Sequence, residues 1–362
     1  MFRAEMRAAP RRLFGAAAAA VDLAVRRTAL ARTSDQREAN GLRHDVRVAL
    51  LRRLERRYDV GHSSEVFFRE PRNIWVSERV VRTDRRGQSV IDVNWPSDYR
   101  TFIPDVQERF DAATKNATAT ARLFVKKGPP RPLIVLIHGY LGGVHSAERR
   151  IWPVPFFSRI GLDVALFVLP FHGPRAEGPF SGLPPFPGSD PRITNEGFRQ
   201  AMGDLRDFTR WALERGHPQV GVSGMSLGGY TTALAATVEP KLAFAIPIIP
   251  LVSVADVALL NGHLGSLRRE AEIQHRALEA VYRIASPIHR EPVIAGSSIF
   301  VIGADRDQIT PVAQAKRLAE HFHCRFDTMH GGHVLQLGRS EMFRKMGRFL
   351  NELGVLSRRA AR

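Results

Sequence analysis

Beyond residue 132, short apolar runs alternate with longer stretches of helical period, and this alternation organises the chain. The runs fall at 133–137, 163–169, 219–222, 242–248, 298–302 and 325–329, and the helical stretches at 195–215, 227–238, 311–321 and 341–353. A strand with apolar residues at successive positions has no polar face to turn to water. Such runs predict a mostly parallel central sheet with helices on both faces, an α/β fold class. In sheets of this kind the site lies beyond the carboxyl ends of the strands.

Upstream the pattern changes. Between 65 and 127 four β-like runs (65–68, 74–81, 89–93 and 119–125) are separated by turn signals such as Asp84-Arg85-Arg86-Gly87, which predicts antiparallel strands leading into the larger sheet. Before them, Val46, Leu50, Leu54 and Tyr58 recur every four residues among arginines, the pattern of an amphipathic helix. Its apolar stripe is expected either to pack on residues 65–127 or to lie on an anionic membrane surface while the arginines reach lipid phosphates. Between the fourth and fifth runs, 261–285 carries Leu264, Leu267, Leu278, Val281 and Tyr282 among charges. This segment reads as a small cap or as a lengthened crossover.

Composition narrows the partners. A formal net charge of +17 suits an anionic partner, and no zinc-finger, RRM or other nucleic-acid signature accompanies it, so nucleic acid is not expected. Cys324 is the sole cysteine, which excludes an intramolecular disulfide and leans towards a reducing, cytoplasmic compartment. Arg11-Arg12-Leu13-Phe14, followed by Gly15 and five alanines, resembles a twin-arginine export signal, but Asp22 interrupts the apolar stretch after about nine residues. The favoured reading there is a soluble, arginine-rich helix. The chain divides into a basic helical extension (1–60), a catalytic domain (61–355, core 130–353) and a basic tail (356–362).

The candidate chemistry centres on Gly224-Met225-Ser226-Leu227-Gly228, a G-x-S-x-G frame set between a strand and a helix. A serine in so sharp a turn leaves no room for side chains two residues away on either side, and glycine supplies that room. The turn His138-Gly139-Tyr140-Leu141-Gly142-Gly143 follows the first run of the parallel sheet. Backbone N–H groups of Tyr140 and Leu227 are the candidate oxyanion donors. A serine hydroxyl needs a base and an acid to orient that base. The last run ends in Met329-His330-Gly331-Gly332-His333, where His333 is the preferred base and His330 the runner-up. The turn after the preceding run reads Gly303-Ala304-Asp305-Arg306-Asp307-Gln308-Ile309-Thr310-Pro311, with Asp307 the preferred acid, Asp305 the second choice and Asp256 a distant third. Neither a metal nor an organic cofactor is expected, since His321-Phe322-His323-Cys324 lacks the second ligand pair of a zinc site.

Residues 130–353 resemble the α/β-hydrolase superfamily through four features: His138-Gly139, the elbow at Gly224 to Gly228, the D-x-x-x-P turn from Asp307 to Pro311, and Gly331-Gly332-His333. Their order, Ser then Asp then His, is the order that family uses. The resemblance implies an α/β-hydrolase fold and a serine hydrolase, whether esterase, lipase, thioesterase or peptidase. One departure is the long loop after the second run, Leu169-Pro170-Phe171-His172-Gly173-Pro174-Arg175 and a Pro, Gly and Phe-rich stretch to Pro191. Phe171, Phe180 and Phe186, with Pro184 and Pro185, line either an apolar pocket or a stiffened loop. Phe171, His172, Arg175 and Met225 are the candidate substrate-binding residues. The expected activity is hydrolysis of a small-molecule or lipid carboxylic ester or thioester through an acyl-enzyme. The rivals are an acyltransferase on the same fold and a non-catalytic, membrane-associated scaffold.

Overall fold

The computed structural model describes residues 15–24, 42–59, 66–85, 87–178 and 183–356. Nine strands form one sheet: β1 (Ser77–Thr83), β2 (Gln88–Pro96), β3 (Thr118–Lys126), β4 (Leu133–Ile137), β5 (Asp163–Phe167), β6 (Val220–Met225), β7 (Ala245–Ile248), β8 (Phe300–Ala304) and β9 (Arg325–Met329). Their spatial order is β1-β2-β3-β5-β4-β6-β7-β8-β9. Pairing is antiparallel from β1 to the β3–β5 pair and parallel from there to β9.

The alternation of side chains along β4 explains its unbroken apolar run. Leu133, Val135 and Ile137 enter the core on one face of the sheet, and Ile134 and Leu136 enter the core on the other. The helices Pro191–Glu214 and Leu227–Ala236 cover the first face. Trp152, Phe157 and the helix Arg339–Glu352 cover the second, with Met346 and Leu350 fully buried. The chain runs from β4 outward to β5, then returns to the far side of β4 as β6, with Ile137 level with Gly224. In an open α/β sheet such a reversal marks where a ligand is taken, beyond the carboxyl ends of the two strands, here β4 and β6.

Several boundaries differ from the sequence pattern. Residues 66–68 form a turn rather than a strand, with Phe67 and Phe68 buried, and the run at 74–81 becomes strand only from Ser77. The basic helix spans His44–Tyr58, but its buried face is Val48, Leu51 and Tyr58, while Val46 and Leu50 of the expected stripe are exposed. The helix docks on Arg268–Tyr282, with Arg47 donating to His263 O at 2.8 Å, and Tyr58 meets Phe67 and Phe102. Most of its partner surface thus comes from a segment more than two hundred positions away, which no local periodicity announces. The candidate cap segment, 261–285, holds the helix Arg268–Tyr282, whose buried residues Leu278, Val281 and Tyr282 belong to the main core. Among the described residues no helix is long and apolar enough to cross a membrane. The arginine pair at 11–12, Phe180 and the tail from 357 lie outside the described residues.

Replacing Leu51, which is 5% exposed, by Ala should lower the unfolding free energy by about 3 kcal/mol, as expected for a truncated core leucine. Leu50→Ala, at 45% exposure, should change it by less than about 0.5 kcal/mol. Urea unfolding of both variants checks the register of this helix.

Candidate active site

Ser226 stands between β6 and the helix Leu227–Ala236 with φ 58° and ψ −113°. A non-glycine residue there costs about 1–3 kcal/mol and persists only when its surroundings over-determine it. They do so here: Ser226 N–H donates to Ile248 O at 3.1 Å, and Ser226 O accepts from Tyr230 N at 3.0 Å and Leu251 N at 3.1 Å. The flanking glycines are required by backbone approach. A Cβ on Gly224 would collide with the carbonyl of Gly228, and one on Gly228 would collide with the carbonyls of Ile137 and His138.

The turn after β4 lies against the elbow, since a Cβ on Gly139 would sit 3.6 Å from Ser226 Cβ. His138, buried at the strand end, fixes that turn: its Nδ1 faces Gly139 O at 2.7 Å and its Nε2 accepts from Leu169 N at 3.0 Å. Such a pairing suits the neutral ring, and burial with the neighbouring His172 pushes the His138 pKa down to about 3. Leu227 is the first residue of its helix, so its N–H precedes the intrahelical ladder. The N–H of Tyr140 has no acceptor among the described residues.

The loops after β8 and β9 are tied together by Asp305 N to Met329 O at 3.1 Å and Arg306 N to Gly331 O at 3.0 Å. They carry two Asp–His pairs. Asp307 Oδ2 meets His333 Nδ1 at 2.7 Å, with the Asp307 side chain fully buried. Its other oxygen accepts from Ile309 N at 2.8 Å and Thr310 N at 2.7 Å, so the carboxylate is held by fixed donors. Asp305 Oδ2 meets His330 Nδ1 at 2.9 Å, but the Asp305 side chain is 42% exposed. The preferred acid and base are therefore brought together, and so are the two second choices, as a separate and more solvated pair. Thr310, which the sequence reading did not single out, links the acid to the elbow side of the sheet. Its Oγ1 lies 3.0 Å from Asp307 Oδ2, 3.1 Å from His333 Nδ1 and 3.1 Å from Ile249 O. With Nδ1 committed to Asp307, Nε2 of His333 is the nitrogen left to exchange a proton.

The candidate substrate contacts are placed differently. Arg175 is 1% exposed, paired with Asp204 at 2.8 Å and bonded to Asn116 O and Val168 O, so its guanidinium is turned into the protein and is not a free anion fork. Phe171 is buried against Phe110, and its N–H donates to Asn116 Oδ1. Met225 points into the second core, and Phe186 is fully buried against Phe198, which makes it loop packing rather than pocket wall. His172 is buried beside Tyr140 with Nδ1 facing Pro170 O at 2.8 Å and, among the described residues, no partner for Nε2. Away from these loops, Asp256, His275 and Glu279 place one ligand atom each within 4.8 Å of one another. Each is already engaged, by Arg317, by Asp256 itself, and by Ser253 and His289 respectively.

Residues 200–267, which include the elbow, match the family described as alpha/beta hydrolase domain containing 18. An uncharacterized protein of Mycobacterium tuberculosis strain H37Rv is 32% identical over 207 residues, 55% of this chain and 49% of that protein. The chain thus spans about half the length of the curated relatives it matches. Among solved structures, an acetyl xylan esterase from Paenibacillus sp. R4 is similar with TM-score 0.52 and 15% identity, covering 79% of this chain and 98% of that one. Acetyl xylan esterase 1 from Thermoanaerobacterium sp. JW/SL YS485 is similar with TM-score 0.53 and 13% identity, covering 84% and 92%. At those identities the likeness is one of fold.

The buried histidines make stability depend on pH. Burial lowers the pKa of His138 to about 3 and of His172 to about 4, both below the ordinary value of 6.5. The unfolded chain therefore binds more protons than the folded one between those values. Stability contributed by the neutral rings is whole above about pH 6.5 and is lost as pH falls towards 4. Thermal melts between pH 7 and 4 should show this fall. His172→Asn, whose side-chain amide can still donate to Pro170 O, should make it shallower.

Proposed function

We propose, from a chain that has the fold of the α/β hydrolases and whose residues 200–267 match an alpha/beta hydrolase domain family, that it is a serine hydrolase cleaving a carboxylic ester or thioester through an acyl-enzyme. The observation that carries this reading is the buried bond of 2.7 Å between Asp307 and His333, set beyond the same edge of the sheet as a serine in a positive-φ turn. Ser226 Oγ attacks the acyl carbonyl while His333 Nε2 takes its proton. Asp307 holds the ring with Nδ1–H towards itself and stabilises the imidazolium. Negative charge gathers on the former carbonyl oxygen, where the N–H groups of Leu227 and Tyr140 receive it. The imidazolium then protonates the leaving oxygen or sulfur, the C–O or C–S bond breaks, and Ser226 is left acylated. Water, deprotonated by His333, attacks the acyl carbon and frees the carboxylic acid and the serine. Two solved structures of this fold are acetyl xylan esterases, which supports an acyl ester as the substrate class.

Covalent labelling by a fluorophosphonate probe, followed by a panel of acyl esters and thioesters, tests the reading directly. Ser226→Ala should abolish labelling and lower turnover by roughly a thousandfold or more, with the circular dichroism spectrum unchanged. A variant that kept a tenth of the wild-type rate would reject Ser226 as nucleophile.

The two Asp–His pairs should separate under mutation. Asp307→Asn should cost about three to four orders of magnitude in kcat, because the amide cannot enforce the ring tautomer. Asp305→Asn should cost less than about tenfold, since its partner His330 takes no part in the proton transfer. A larger loss for Asp305→Asn would mean that the wrong pair has been assigned.

A further inference from the structure

The helical residues 15–24 lie against the loops that carry the acid and the base. Their buried positions, Gly15, Ala18 and Asp22, are spaced three and four apart and so form one face of the helix. Small side chains on that face permit close approach: a Cβ on Gly15 would lie 3.3 Å from both Arg306 and His330. Asp22 is fully buried, and its carboxylate accepts three backbone N–H groups. Oδ2 takes His333 N at 2.6 Å and Gln308 N at 3.2 Å, and Oδ1 takes Val334 N at 2.9 Å. One side chain thus binds the residue after the acid, the base itself and the residue after the base. Gly332, just before the base, has to be glycine for the same reason, because a Cβ there would stand 2.6 Å from Asp22 Oδ2 and 3.0 Å from Ala18 O.

We propose that Asp22 is a positioning residue for the acid–base pair, a carboxylate strut that sets the spacing between the Asp307 loop and the His333 loop. This rests on the serine-hydrolase reading above. The backbone bonds of Asp305 to Met329 and Arg306 to Gly331 tie the two loops close to their strands, but farther along the loops the bond between Asp307 and His333 fixes side chains and not backbones. A carboxylate with two oxygens facing three donors is matched to that task, because a charge-assisted hydrogen bond is about twice as strong as a neutral one. Water could solvate the same N–H groups but could not hold both loops at one distance. Small displacements of a base from its nucleophile are costly to rate, so the effect falls on the chemical step and not on binding.

The test is Asp22→Asn in the full chain. The amide keeps the shape but presents N–H to at least one of the three backbone donors, so the strut opens on one side. The expected result is a fall of about tenfold or more in kcat and in the fluorophosphonate labelling rate, with KM near the wild-type value. Hydrogen exchange of the wild-type chain supplies a second measurement that needs no variant to fold. The amides of Gln308, His333 and Val334 should be protected although they lie in loops. Labelling rates within twofold of wild type, even with a lowered melting temperature, would overturn the proposal and leave Asp22 a purely structural contact. Exchange of those three amides at the rate of open loop would overturn it too. A wild-type chain that the probe does not label at all would instead overturn the serine-hydrolase reading, and with it the role assigned to Asp22.

Discussion

The backbone at Ser226 is the constraint on which the rest of the site depends. A residue at φ 58° and ψ −113° is held out of every favoured region, and the strain is tolerable only because β7 and the following loop grip it from one side and β4 crowds it from the other. That grip requires β4 and β6 to be neighbours, which is why the chain must place β5 beyond β4 before returning. Sheet order, the two glycines and the part-buried serine are thus one arrangement seen at three scales. Larger side chains at Gly224 or Gly228 would act on backbone carbonyls, which cannot swing aside as a flexible side chain can.

The two Asp–His pairs are told apart by burial more than by motif. Two Asp–His pairs occupy the same pair of loops at similar distances, 2.7 Å and 2.9 Å. What separates them is surroundings: Asp307 is sealed from water and met by fixed backbone donors, whereas Asp305 is partly solvated. A charge in a low-dielectric setting acts more strongly on its partner than the same charge at the surface. In the proposed mechanism the fixed donors leave little reorganisation to be made when the imidazolium forms.

A third set of buried charges fastens the amino-terminal strands to the catalytic core through the long helix Pro191–Glu214. Glu196 accepts from Phe102 N and Ile103 N, each at 2.9 Å, and from the Tyr99 hydroxyl. Asp204 pairs with Arg175, Arg206 with Glu239 and Asp207 with Arg69. Such pairs add little net stability, because desolvation offsets most of the attraction, yet removing one partner costs about 3–5 kcal/mol. Their effect is to make one docking geometry far better than its neighbours. Arg175 belongs to this set, and its place in a glycine- and proline-rich loop gave no sign of it.

The sequence by itself determined the parallel sheet, because continuous apolar runs such as 133–137 cannot be half-solvated, and it determined the sharp turn at Ser226, because only glycine tolerates the approach at 224 and 228. Both are local facts of steric and hydrophobic chemistry, readable over a few residues. It also narrowed the candidate acid to three aspartates, two of them on one turn, and the candidate base to two histidines. Tertiary structure decided the rest, since each remaining question concerned groups far apart in the chain. Whether Asp305 or Asp307 is the sealed carboxylate depends on what packs over the loop. Which face of His44–Tyr58 is buried depends on a helix at Arg268–Tyr282. The place of Asp22, a lone acid in an alanine-rich stretch, depends on donors 286 to 312 positions away. Periodicity reports which side of an element is apolar, but it carries no information about which distant backbone will come to meet a charge.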